Sequence, residues 1–154
     1  MKYVDTSAFI KYYGKEEFEK GADKIIELIE KVKTGKEILV SSIFMLGESV
    51  SVFDRWVRQK IISEEESQKI ISRFLTDIKE LTEFGGLILE PIDSILFMLS
   101  IDFIVKHHIP INDAIHLYTA LTLTPKIEEF ICSDDILNKA AEKEGLKIFN
   151  PEEK

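Results

Sequence analysis

Apolar positions along the chain alternate between short continuous runs and helical stripes. The run at Tyr3–Val4 stops at Asp5, and helix-compatible residues follow Thr6 and Ser7. This predicts a buried strand whose carboxyl end presents Asp5 just ahead of a helix. From Glu16 to Lys33, Phe18, Ala22, Ile25, Ile29 and Val32 share one stripe, and Gly35 ends that helix. Glu37–Ser41 reads as a second short strand. The next helix, about Ser42 to Lys60, turns Ile43, Leu46, Val50, Phe53 and Val57 inward. Glu48 then lies roughly opposite, on a face shared with Phe44, Ser51, Arg55 and Gln59.

Ser63 and Glu66 form a capping box. It opens a helix carrying Ile70, Phe74, Ile78 and Leu81 that ends near Gly85–Gly86. Leu87–Pro91 is a third strand, and Asp93 caps a helix that is apolar nearly all round from Ile95 to Val105. Such a helix is either deeply buried or part of a subunit interface. His107–Pro110 breaks it, which places both His107 and His108 in a loop. A helix from Ile111 to about Leu123 stops at Thr124–Pro125. Phe130–Ser133 is a fourth strand with Asp134 and Asp135 at its end; a helix from Ile136 to Lys143 and a last strand, Leu146–Phe149, follow. Strands alternating with helices predict an α/β protein with a mostly parallel sheet covered on both faces. With no linker or repeat, residues 1–154 are expected to form one domain.

Composition narrows the function classes. A formal net charge of -8 excludes holding nucleic acid by bulk electrostatics, but not an enzyme that binds it through a metal and a few local cations. The single cysteine, Cys132, excludes an internal disulfide and sits among apolar neighbours. Together with the absence of a visible signal peptide, this sets a cytoplasmic expectation. The most apolar stretch contains Ser100 and Asp102 and is too short to span a bilayer, so no membrane partner is expected.

Four acidic positions carry the candidate chemistry: Asp5, Glu48, Asp113 and Asp134. Helix capping explains Asp5, Asp113 and Asp134 one at a time. It does not explain Glu48, nor two parallel strands that both end in Asp at the ligand-binding edge. Convergent carboxylates repel by about 4 kcal/mol per pair at about 4 Å and an effective dielectric near 20. A divalent cation offsets that repulsion, and all-oxygen ligands suit Mg²⁺ or Mn²⁺. Arg55, on the Glu48 face, is placed to meet a phosphate, and the segment from Arg55 to Lys60 is basic with an aromatic, Trp56. Of the three histidines, His116 is the best placed for a substrate contact.

Met1–Ser7, then Leu46-Gly47-Glu48, then Asn112-Asp113-Ala114-Ile115, then Cys132-Ser133-Asp134, resembles the PIN-domain family, and within it the VapC-type ribonuclease toxins. The resemblance covers essentially the whole chain. It implies a three-layer α/β/α sandwich and a metal-dependent endoribonuclease using one or two Mg²⁺ or Mn²⁺ ions. Carried over by position, Asp5, Glu48, Asp113 and Asp134 are the acidic quartet, Ser7 is the matching hydroxyl, and Asn112 joins Ser7, Arg55 and His116 as a substrate contact. The family's last motif has a hydroxyl residue two before the Asp and an apolar residue three after it. Asp134 follows Cys132 and has Leu137 three on; Asp135 follows Ser133 but has Asn138 three on. Asp134 is therefore the fourth acid, with Asp135 its substitute.

The same resemblance implies RNA as substrate, a homodimer, and a small antitoxin protein whose basic segment silences the site. Two other readings stand beside it. One is a catalytically silent PIN fold that binds RNA or acts as a scaffold. The other is an acidic-pocket phosphate-signalling receiver, which needs a strand-end lysine that the chain does not show.

Overall fold

The computed structural model describes residues 1–14 and 20–153. Strands β1 (Lys2–Val4), β2 (Leu39–Ser42), β3 (Leu87–Glu90), β4 (Glu129–Ile131) and β5 (Ile148–Phe149) form one sheet, parallel throughout, in the order β3-β2-β1-β4-β5. The helices are α1 (Thr6–Phe9), α2 (Ala22–Lys33), α3 (Phe44–Arg58), α4 (Glu64–Phe84), α5 (Ser94–His107), α6 (Ile111–Thr122) and α7 (Asp135–Lys143), with a 3-10 turn at Ile10–Tyr12 after α1. This is the three-layer α/β/α arrangement.

Side chains on a strand alternate between faces, and the two cores follow from that alternation. Val4, Leu39, Leu87 and Ile131 point to one side, where they meet Phe9, Ile25, Ile29, Val32, Met45, Phe53, Phe74 and Leu81. Tyr3, Val40 and Phe130 point to the other and meet Ala114, Leu117, Ala120, Leu137 and Ala141. The small alanines let α6 and α7 lie close to the sheet.

From β1 the chain adds β2 and β3 on one side, then returns to place β4 and β5 on the other. The direction of winding therefore reverses between β1 and β4. Connections leave this point to opposite sides of the sheet and open a crevice at the carboxyl ends of the strands.

Three expectations are corrected. Helix α2 begins at Ala22, after Gly21 in the left-handed region (φ 81°); Phe18 lies outside the described residues. A Cβ on Gly21 would sit 2.4 Å from the Pro151 carbonyl oxygen, so the chain end can close over this turn only because the residue is glycine. In α3 Leu46, Val50 and Phe53 pack on the core as expected, joined by the fully buried Met45 and Ser49, while Ile43 is exposed. The Ile43 N–H still bonds Glu90 as an extension of the sheet (2.8 Å), so the helix starts later and its buried face takes in Met45 and Ser49. His107 is not in a loop: it is the last residue of α5, with Nε2 2.5 Å from Glu144 Oε1, and His108 takes the left-handed conformation (φ 55°) that ends the helix. The Ser63–Glu66 capping box and the Asp93 cap form as expected.

Helix α5 resolves its alternative in favour of exposure. Ser100 is its one buried residue, while Ile95, Met98 and Val105 are 66%, 68% and 74% exposed. It packs on α6, and the two meet at 112°. No single helix among the described residues is long and apolar enough to cross a membrane.

Candidate active site

The crevice between β1 and β4 opens into a cleft of about 930 Å³. Asp5, Ser7, Glu48, Asn112, Asp113 and Asp134 line it, and Ser51, Arg55, Trp56 and Gln59 continue the wall along α3. The four acids thus reach one cleft from four separate segments: the ends of β1 and β4, and the early turns of α3 and α6.

Asp5 follows β1 directly and is only 4% exposed. Its Oδ2 caps α1 by accepting the Ser7 N–H (2.9 Å), and the Ser7 hydroxyl donates to the same oxygen (2.5 Å). The Ser7 Oγ in turn accepts the Ser133 N–H (3.0 Å), which ties the β1 and β4 ends together across the switch point. Asp134 caps α7, its Oδ1 accepting from the N–H groups of Ile136 (2.8 Å) and Leu137 (2.9 Å). Asp135 points elsewhere: its carboxylate accepts from Asn150 (3.3 Å) and does not line the cleft. Cys132 is buried at the hydroxyl position of the motif, its Sγ 3.6 Å from Asp5 Oδ2. Burial and then the Asp5 charge push its thiol well above the usual range, so it stays protonated.

Glu48 is the most constrained of the four. Its Oε2 accepts from the Thr6 hydroxyl (2.5 Å) and faces His116 Nε2 (2.6 Å), and its Oε1 accepts from Asn112 Nδ2 (2.9 Å). Burial alone would raise its pKa, but His116, Thr6 and Asn112 outweigh burial and hold it below the ordinary glutamate value. Asp113, in the first turn of α6, moves the other way. Burial first, then the charges of Asp5 and Asp134, push its pKa up to about 7. Burial and the neighbouring carboxylates thus both oppose the ionised form of Asp113.

His116 is not placed to touch a substrate. It is 0% exposed, with Nδ1 2.8 Å from the Tyr3 hydroxyl and Nε2 on Glu48. Asn112 lines the cleft, yet its amide is spent on Glu48. Ser7 lines the cleft too, with its hydroxyl engaged by Asp5 and Ser133. Arg55 is the one Lys or Arg among the described residues of the lining; the receiver reading, which needs a lysine there, finds none. Trp56, whose ring packs 5.4 Å from that of Phe53, still shows one side to the cleft.

A family model of the PIN domain matches residues 2–143. The chain belongs to the PIN-domain family. No curated protein matches it. PIN domains are generally nucleases and usually bind divalent metals. In this PIN domain the donor chemistry fits such an ion: an all-oxygen set of four carboxylates lining one cleft. The atoms are not fixed as a closed cage, since no group of three or more His, Cys, Asp or Glu side chains among the described residues has that arrangement. Asp5, Asp113 and Asp134 are the residues that would hold the ion. Glu48 would join them through Oε1, which accepts one hydrogen bond and keeps a lone pair.

Proposed function

We propose that this PIN domain is a metal-dependent endoribonuclease that uses one or two Mg²⁺ or Mn²⁺ ions. The observation that carries the reading is the gathering of Asp5, Glu48, Asp113 and Asp134 at one cleft, with Asp113 pushed up to about 7 by burial and then by the charges of Asp5 and Asp134. When bound, such an ion supplies the positive charge needed by an attacking water and a departing oxygen. The chain's own part is to hold the carboxylates ready. Ser7 fixes Asp5, the first turn of α7 fixes Asp134, and Asp113 gives up its proton when positive charge arrives. Arg55 lies seven residues, about 10 Å, beyond Glu48 along one face of α3, where it meets a phosphate flanking the one cut.

The test is cleavage of a mixed RNA pool, with a matched DNA pool alongside, in Mg²⁺, Mn²⁺ and EDTA. RNA cut in either metal and spared in EDTA is the expected result. No metal-dependent cutting would leave the silent RNA-binding or scaffolding fold.

The role extends to a toxin held by a small antitoxin protein. A cleft this acidic takes an Arg or Lys side chain where no metal is present, so the silencing segment is basic. The assembly is a homodimer built on α5, whose apolar side chains Ile95, Met98 and Val105 stand exposed together. Met98→Glu should shift sedimentation at micromolar concentration from dimer to monomer; a wild-type chain that already sediments as a monomer would overturn the dimer.

A further inference from the structure

A chain of buried hydrogen bonds runs from the sheet to Glu48. The backbone N–H of Ser42 donates to the Tyr3 hydroxyl (3.1 Å), that hydroxyl lies 2.8 Å from His116 Nδ1, and His116 Nε2 lies 2.6 Å from Glu48 Oε2. The proton assignments follow from what each atom can do. A carboxylate only accepts, so Nε2 carries a proton and donates it to Glu48. Burial opposes the charged ring, but Asp5, Glu48 and Asp113 outweigh it and raise the His116 pKa. Charged, the ring donates through both nitrogens, to Glu48 and to the Tyr3 oxygen; neutral, its Nδ1 accepts the Tyr3 O–H instead. The bonds form one continuous buried series from the sheet to Glu48, with the Thr6 hydroxyl also 3.2 Å from His116 Nε2, and each bond polarises the next.

The series is rigid at its origin. Tyr3 is fully buried in the central strand and stacks on Phe130 with ring centroids 5.3 Å apart and planes 8° from parallel. Ser42 closes β2, the neighbouring strand. Glu48 itself sits on a helix, so without the series its long side chain would be held by Thr6 and Asn112 alone.

We propose that Tyr3 and His116 are positioning residues of the nuclease site: they transmit the fixed geometry of the sheet to Glu48 and so set how the cleft receives its cation. The inference rests on the nuclease reading, and Tyr3 and His116 touch neither substrate nor metal. Groups that orient ligands from behind commonly change metal affinity or activity by 10–100-fold when removed.

Tyr3→Phe deletes one oxygen and keeps the stacked ring. It should weaken Mn²⁺ binding by calorimetric titration about 10-fold and lower kcat by a similar factor, with KM for RNA unchanged. His116→Leu should lose more on both measures. His116→Gln, which restores an N–H donor toward Glu48, should recover part of the loss. A purely structural role predicts another pattern: lower melting temperatures, with Mn²⁺ affinity and kcat within twofold of wild type and no difference between Leu and Gln at 116. That pattern would overturn the proposal. If the wild-type protein cuts no RNA, the nuclease reading falls, and the Mn²⁺ titrations still decide whether Tyr3 and His116 shape the cation site. Should Tyr3→Phe fail to fold, the comparison of Leu with Gln at 116 carries the same decision.

Discussion

Replacing Asp5 with Asn should lower RNA cleavage by on the order of 100-fold or more while leaving the metal-free protein no less stable. The two halves of this result have separate causes. An amide oxygen in the place of Oδ2 can still accept from the Ser7 N–H and hydroxyl, so the α1 cap survives. One negative charge leaves a cluster that repels itself, which offsets any loss in hydrogen-bond strength. Function moves the other way because a charged oxygen ligand has become a neutral one. Melting curves recorded in EDTA and in Mn²⁺ separate the effects: the rise in Tm caused by Mn²⁺ should shrink in the mutant, as a weaker ligand stabilises less at equal concentration. A mutant that melts several degrees lower in EDTA, yet keeps the Mn²⁺ response and cuts RNA normally, would reduce Asp5 to a helix cap.

Without metal, the protein should lose stability as pH rises from about 4 to about 7, and Asp113→Asn should remove that slope. A carboxyl group whose folded-state pKa is raised to about 7, against an ordinary value near 3.8, holds a proton in the native state that the unfolded chain has released. Between those two values the native state binds more protons, so each step up in pH favours unfolding. Above about 7 both states are ionised and the slope ends. The full displacement corresponds to about 4 kcal/mol, and partial solvent screening reduces it to a few kcal/mol. The asparagine variant carries no such group, so at pH 8 in EDTA it should be the more stable of the two; at pH 4 the two should converge. Urea unfolding at pH 4, 6 and 8 checks this. Equal pH profiles for wild type and mutant would show that the repulsion is not focused on Asp113. Nuclease activity of the variant should be lost at every pH, since it lacks an acid that faces the cation.

Much of the fold was legible because local rules and long-range packing agree. The Tyr3–Val4 run, the Ser63–Glu66 box and the Asp93 cap each name an element boundary that tertiary contacts then respect. The inward face of α3 was legible in part: Leu46, Val50 and Phe53 pack on the core, but Ser49, a polar residue that periodicity counts as surface, is buried beside them. The acids were readable because Asp5 and Asp134 end parallel strands at one edge of the sheet and because the four motifs together resemble one family. Glu48, in the second turn of α3, carried no signal alone. What the sequence hides is which polar side chains turn toward the cleft and which toward one another. His116 lies one turn after Asp113 and so shares its side of α6, but position along a helix does not reveal that Tyr3 and Glu48 close over it. Thr6 reads as one more residue of a capped turn, and only the packing of α3 against α1 shows that its hydroxyl belongs to Glu48. Tyr3 carried a faint signal: a hydroxyl in an otherwise buried strand must find a partner.

The reversal of winding at β1 also bears on the order of assembly. Asp5 emerges first in synthesis, but the strand that completes its surroundings, β4, pairs with β1 from the far end of the chain, Lys2 against Glu129. Closing so long a loop is entropically slow, and until it closes β1 has an open edge and Ser7 lacks the Ser133 N–H. Asp134 arrives with that same closure. A nascent or partly unfolded chain therefore carries all the early acids and no assembled site. On the proposed nuclease reading, the acidic cleft is complete only once β4 has paired with β1.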